Sequence, residues 1–172
     1  MMTKGRMMMK RSLALVGVSV GGVLALMLGG AASAAGVPAV SDGYDWTMRV
    51  NDEERTQSAI LAYEVADTDD QPLNFSCEEG GNRIFAGISG NSPDLAAIAL
   101  VSGDQKLRLS GTTDVDEIPY FTSQELAGGS PFIRAFAANG WLRMTADGAA
   151  RDMAATANGK QAIQRFVRFC AG

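Results

Sequence analysis

The sequence predicts an α+β fold: an antiparallel β-rich domain with two helices, the C-terminal helix stapled to the sheet by a disulfide. Three observations carry that prediction. From Asp45 onward, short apolar segments are separated by Gly, Pro, Asn and Asp at the spacing of antiparallel strands. Only two later segments carry helix start and stop signals. The only two cysteines, Cys77 and Cys170, fall on the apolar faces of a strand and of the last helix.

In chain order, Lys4, Arg6, Lys10 and Arg11 precede an apolar run that ends in the small residues Gly29 to Ala35, which is the build of an export signal over residues 1–35. The apolar stretch Leu13 to Leu28 is interrupted by Gly17, Gly21 and Gly22 and is short for a membrane span of about 20 residues. Cleavage after Ala34 or Ala35 is therefore expected, with no stable membrane span afterwards, and the alternative is an uncleaved N-terminal anchor. No cysteine follows the run and no paired arginines precede its apolar core, so the general export route is expected. The location expected is periplasmic or secreted.

Residues 36–43 carry Pro38, Ser41 and Asp42 without periodicity and read as a flexible lead-in to a single globular domain over 44–172. Strands are expected at Trp46 to Val50, Ala59 to Val65, Leu73 to Glu78 and Arg83 to Ile88. Asp67 to Pro72 has the chemistry of a chain reversal, and Leu73, Phe75 and Cys77 alternate with Asn74 and Ser76, which turns Cys77 inward. A second hairpin joins Ala97 to Val101 with Lys106 to Ser110 through Gly103, leaving Leu107 and Leu109 inward. Asp114 to Glu125 reads as strand, with Pro119 placing it at an edge or bulge because proline removes a ladder donor.

Ser130 is placed to cap a helix with Pro131 at its first position and Gly140 past its end. Trp141 to Met144 and Arg151 to Ala154 form a hairpin turning at Asp147-Gly148. The last helix runs from about Gly159 to Cys170, with Ile163, Phe166, Val167 and Cys170 on one stripe. A Cys77–Cys170 bond then ties that helix to the sheet. Closing a loop of 93 residues removes about 4–5 kcal/mol of unfolded-state entropy in the chain-entropy model.

Removing the leader takes away four basic residues and no acidic ones, leaving 11 basic against 19 acidic residues and a net charge of about −8. Such a surface repels phosphate backbones, which argues against nucleic acid as a partner. The chain contains no histidine, so the commonest general base, metal ligand and nucleophile partner is missing. Carboxylate chemistry survives that absence, and glycan cleavage needs two acids roughly 5–10 Å apart. Yet Asp52-Glu53-Glu54, Asp67-x-Asp69-Asp70, Glu78-Glu79 and Asp114-x-Asp116-Glu117 all fall in predicted turns or strand ends, where acids are simply solvated.

Asp67, Asp69 and Asp70 form a weak calcium candidate, three oxygen ligands on one turn without the spacing of a calcium loop. No cofactor or other metal site is indicated. Trp46, Tyr63, Phe75, Phe85, Trp141 and Phe166 read as core, while Tyr120 and Phe121, beside Pro119, are the expected exposed pair and the first candidate for a partner surface.

Three stretches carry a resemblance: Leu61-Ala62-Tyr63-Glu64-Val65 with its Asp-rich turn, Leu73-x-Phe75-x-Cys77, and Ala162-Ile163-x-Arg165-Phe166-x-x-x-Cys170. Together with the leader they make the chain similar to small exported bacterial proteins of unassigned function. A fainter similarity, confined to the L-x-F-x-C strand and the last helix, is to periplasmic accessory proteins of secretion systems. The resemblance implies the fold and carries no activity with it.

The function expected is an exported, non-enzymatic domain that binds a protein or cell-wall component of the envelope. The alternatives are a histidine-free carboxylate-dependent glycan hydrolase and an inhibitor of a basic lytic enzyme, the latter using the negative charge for electrostatic capture. Protein purified from the envelope fraction is expected to have lost the leader and to take up no alkylating reagent until reduced. Intact mass with and without reduction checks both, and a full-length mass with two free thiols would overturn the export reading.

Overall fold

In the computed structural model, which describes residues 36–53 and 55–171, every period-two segment becomes a strand of one antiparallel sheet. The predicted signal peptide, residues 1–35, lies outside the described residues. The strands are β1 (Tyr44–Asn51), β2 (Ser58–Val65), β3 (Leu73–Glu78), β4 (Arg83–Ser89), β5 (Ala97–Ser102), β6 (Gln105–Asp114), β7 (Tyr120–Ser123), β8 (Leu126–Ala127), β9 (Trp141–Ala146) and β10 (Ala149–Ala154). Helix α1 (Pro131–Asn139) precedes β9, and α2 (Ala157–Ala171) follows β10. The strand order is β1-β2-β3-β4-β7-β6-β5-β9-β10, with β8 paired to the start of β4.

The fold class is α+β with the sheet dominant, and the sheet is nearly closed rather than flat. Its two outer strands, first and last in sequence, come side by side: Trp46 on β1 donates its indole N–H to the carbonyl of Met153 on β10 at 3.3 Å. No backbone ladder joins β1 to β10 among the described residues. Side chains close the seam instead.

The alternation of burial places the core. Leu73, Phe75 and Cys77 are buried on β3, opposite Leu61 and Tyr63 of β2 and Ile84 and Ala86 of β4. Trp46, directly across from Tyr63, packs edge-on against Phe136 of α1 at 4.9 Å between ring centroids and against Phe75 at 6.1 Å. Such aromatic pairs add about 0.5–1.5 kcal/mol each beyond their buried area. Ile163, Phe166 and Cys170 of α2 enter the same core.

Both helices have the ends their residues specify. The Ser130 side chain accepts from the Ile133 N–H, and Gly140, at φ 74°, ends α1 with its N–H on the Phe136 carbonyl. At the start of α2, Thr156 Oγ1 accepts from the N–H groups of Asn158 and Gly159. Asp45 of β1 in turn accepts from Thr156 at both backbone and hydroxyl. A Cβ on Gly159 would sit 1.9 Å from Asp45 Oδ1, so the missing side chain makes room for that carboxylate.

The other end of α2 is held twice. Cys77 and Cys170 are bonded, with Cα atoms 5.7 Å apart. The carbonyls of Phe169 and Cys170, unpaired within the helix, accept from Gly80 and Asn82 of the β3–β4 turn at 2.9 and 2.7 Å.

Two expectations are corrected. Pro119 does not mark an edge strand: it stands just before β7, and β7 is an inner strand between β4 and β6. The proline's missing donor therefore costs no ladder bond. Strand β6 is also longer than its hydrophobic pattern, because Gln105–Ser110 pair with β5 and Gly111–Asp114 with β7.

Gly111 is the point of that exchange. A Cβ there would meet the Thr122 carbonyl oxygen at 2.2 Å and the Phe121 ring at 2.6 Å. Gly111→Ala is expected to destabilise the fold by about 2–3 kcal/mol through forced displacement of β7. Gly129→Ala, where the nearest atom is 3.9 Å away, is expected to stay within about 0.5 kcal/mol of the parent. Urea unfolding of the two variants checks the contrast.

Candidate partner-binding cleft

Four connections gather at one end of the sheet, remote from the disulfide. They are residues 66–72 between β2 and β3, 90–96 between β4 and β5, 115–119 between β6 and β7, and the β9–β10 turn at Asp147-Gly148. Gly90 N–H donates to the Pro119 carbonyl at 2.8 Å, and Ser92 N–H donates to Asp147 Oδ2 at 2.8 Å. Asn91 clamps the centre. Its amide N–H donates to Thr113 Oγ1 at 3.0 Å, and its side-chain oxygen accepts from the Phe121 N–H at 3.1 Å. Asp147, at φ 49°, and Gly148, at φ 76°, supply the two left-handed residues of a two-residue hairpin turn.

The β2–β3 and β4–β5 connections and the β9–β10 turn frame a cleft of about 540 Å³, and Asp114, Asp116, Glu117 and Ile118 line a separate hollow that meets it at Ser89. Pro72, Ile88, Met144 and Ala146 give it apolar walls; Asp69, Asp70, Asp147, Asn91 and Arg151 supply polar groups. A concave site with apolar lining and a few converging polar groups is the usual form of a ligand site.

The electrostatics are one-sided. Residues 66–72, 90–96, 114–119 and 147–148 carry eight of the chain's 19 carboxylates, from Asp67, Asp69, Asp70, Asp94, Asp114, Asp116, Glu117 and Asp147, and no lysine or arginine. All eight are exposed. Arg151 is the one cation lining the cleft among the described residues, and its guanidinium lies 5.1 Å over the ring of Tyr44 with Nη2 3.4 Å from the hydroxyl. Tyr44 also donates that hydroxyl to Asp70 Oδ2, and this bond to a carboxylate holds the phenol pKa above its ordinary value. The three groups tie β1, the β2–β3 connection and β10 together across the top of the seam.

Of the residues the sequence singles out, Cys77 and Cys170 are bonded at the opposite end. Tyr120 is 38% exposed, but Phe121 is fully buried, which corrects the expected surface pair. Successive strand residues face opposite ways, so one of two neighbours must turn inward. Tyr120 lies over Gly87, where a Cβ would meet its hydroxyl oxygen at 2.1 Å, and donates to Asn74 Oδ1 at 3.3 Å.

The turn carrying Asp67, Asp69 and Asp70 does not make the weak calcium candidate a cage. Asp70 is taken by Tyr44, Asp67 stands at φ 60°, and among the described residues no three acid side chains come together to hold a metal ion. Of the six core aromatics, Phe85 alone is half-buried; it sits under Arg83 beside a smaller hollow of about 260 Å³ next to Cys77.

The site therefore belongs to a nearly closed antiparallel sheet with an acidic cleft at one mouth. The chain matches no known family model, no curated protein and no solved structure.

Asn91→Ala removes the acceptor of a strand amide and the tie to Thr113, and is expected to cost about 1–3 kcal/mol. Hydrogen exchange at the Phe121 amide should accelerate well beyond that of Leu61 in β2, and equal acceleration at both would overturn the role of Asn91 as a local clamp.

Proposed function

We propose that this protein is an exported, non-enzymatic domain that binds a protein or other component of the cell envelope through the acidic mouth of its sheet. The observation that carries the reading is an apolar-walled cleft lined by Asp69, Asp70 and Asp147, with the acidic β6–β7 connection and Asp94 on the same rim. The topology sends alternate connections to the same rim, and on this rim residues 66–72, 90–96, 114–119 and 147–148 carry eight carboxylates and no lysine or arginine. Concentrated at one mouth, they repel each other and project a field that raises the local concentration of oppositely charged partners.

Two of the carboxylates that line the cleft also do structural work. Asp147 holds Ser92, and Asp70 holds the Tyr44 hydroxyl. Each is committed to positioning a loop, which suits a rigid recognition surface better than an acid that must give up and regain a proton. The leader supports export, and the bonded cysteines suit an oxidising compartment.

A photo-crosslinking residue placed at Ala150, which lines the cleft, is expected to trap an envelope component in living cells. The same residue at Arg108, exposed on β6, is expected to trap nothing. Adducts at Arg108 alone would overturn the assignment of the recognition surface. Turnover of envelope glycan by the purified protein, abolished by Asp69→Asn, would establish the hydrolase reading in its place.

A further inference from the structure

The cleft also specifies what it can hold, if it is the recognition surface proposed above. We infer that it takes a lysine or arginine side chain presented by a basic segment of a protein partner.

Such a side chain has two parts, an apolar stem and a cationic tip, and it is buried well only where both are met. Ile88, Met144, Ala146 and Pro72 offer apolar wall for the stem. Above them, Asp147 uses only Oδ2 on the Ser92 amide and leaves Oδ1 free, and Asp69 accepts no hydrogen bond among the described residues. Neither carboxylate is in an ion pair there; the ion pairs join Arg49 to Glu64, Arg83 to Glu125 and Arg143 to Asp152. Arg151, the countercharge within the cleft, is already placed over Tyr44 and beside its hydroxyl. The acceptors left open face a cavity without a free cation of its own.

The surroundings select a protein segment over a lone cation. Asp94, Asp116 and Glu117 lie on the adjoining connections and Asp114 at the end of β6, and beside them Val115 and Ile118 are 56% and 65% exposed. A chain with several basic residues and an apolar one engages both the cleft and this rim, whereas a small cation engages the cleft alone. Anionic ligands, including phosphate groups and acidic lipid surfaces, meet repulsion from the same eight carboxylates.

The test uses the mature disulfide-bonded protein and a fluorescein-labelled octapeptide, Ala-Lys-Leu-Ala-Arg-Leu-Lys-Ala, with a second peptide carrying Gln at its basic positions. Anisotropy is expected to show binding of the basic peptide, weakened in about 0.5 M salt, where screening is nearly complete, and none of the neutral one. Asp69→Asn with Asp147→Asn is expected to weaken binding about tenfold. Asparagine at 147 keeps the acceptor for Ser92 and tolerates the left-handed backbone. Asp52→Asn with Glu53→Gln removes equal charge from the far end of β1 and should change affinity less than about twofold.

Equal weakening by both pairs would overturn the inference, since net charge would then be enough. Full displacement by an equal concentration of spermidine would overturn the protein segment in favour of a small polyamine. Failure of the basic peptide while the Ala150 adduct persists would overturn the cationic ligand and leave the cleft as a recognition surface; loss of both would remove the surface itself.

Discussion

The seam between β1 and β10 is the constraint on which the rest of the structure depends, and Trp46 is the residue that holds it. A sheet this strongly curled must bring its outer strands together or leave two long unpaired edges, each a template for aggregation. Here Trp46 spans the gap to the Met153 carbonyl while its ring packs against Tyr63, Phe75 and Phe136. One side chain thus joins the sheet's two edges and a helix. Asp45, one residue earlier, secures the start of α2, and Tyr44, one earlier again, links Asp70 and Arg151. Three consecutive residues of the first strand close the structure with side chains where other folds use a backbone ladder.

The same closure has a consequence for charge. When the sheet curls, its connections are forced to one rim or the other. The disulfide, the β3–β4 turn and the end of α2 share one rim; the Asp-rich connections share the other. A chain with an acidic excess spread along its length becomes a molecule with one strongly negative mouth. The rim is also rigid, because Asn91, Asp147 and the Pro119 carbonyl bind the connections to each other. A preorganised surface loses less entropy on binding than a set of free loops.

Much of the fold was legible from local pattern. The period of two in Leu73, Phe75 and Cys77, the Ser130-Pro131 start and Gly140 stop of α1, and the Asp147-Gly148 turn each depend on neighbours a few residues away, and each stands where it was expected. Less was legible where a residue answers to something distant. Gly111 and Gly159 look like ordinary weak points in a strand and a helix, yet each leaves room for a group far off in sequence, Thr122 for one and Asp45 for the other. Pro119 suggested an edge because its missing donor is a local fact, whereas its place one residue outside β7 depends on where β4 and β6 meet that strand. Phe121 departs from the expected exposed pair for a simpler reason: adjacent strand residues cannot share a face, and Tyr120 takes the outer one.

By itself the sequence determined the antiparallel strands, the two helices with their ends, and the inward faces of both cysteines, because hydrophobic period, capping and turn chemistry act over a few residues. It also determined the acidic surplus and the absence of histidine. Tertiary structure alone decided that the sheet would nearly close, that Phe121 would be buried, and that Asp69, Asp70 and Asp147, from two separate connections, would line one cleft with further acids on the same rim. Turns read one at a time are solvated acids. The order of strands in space places them at a common rim.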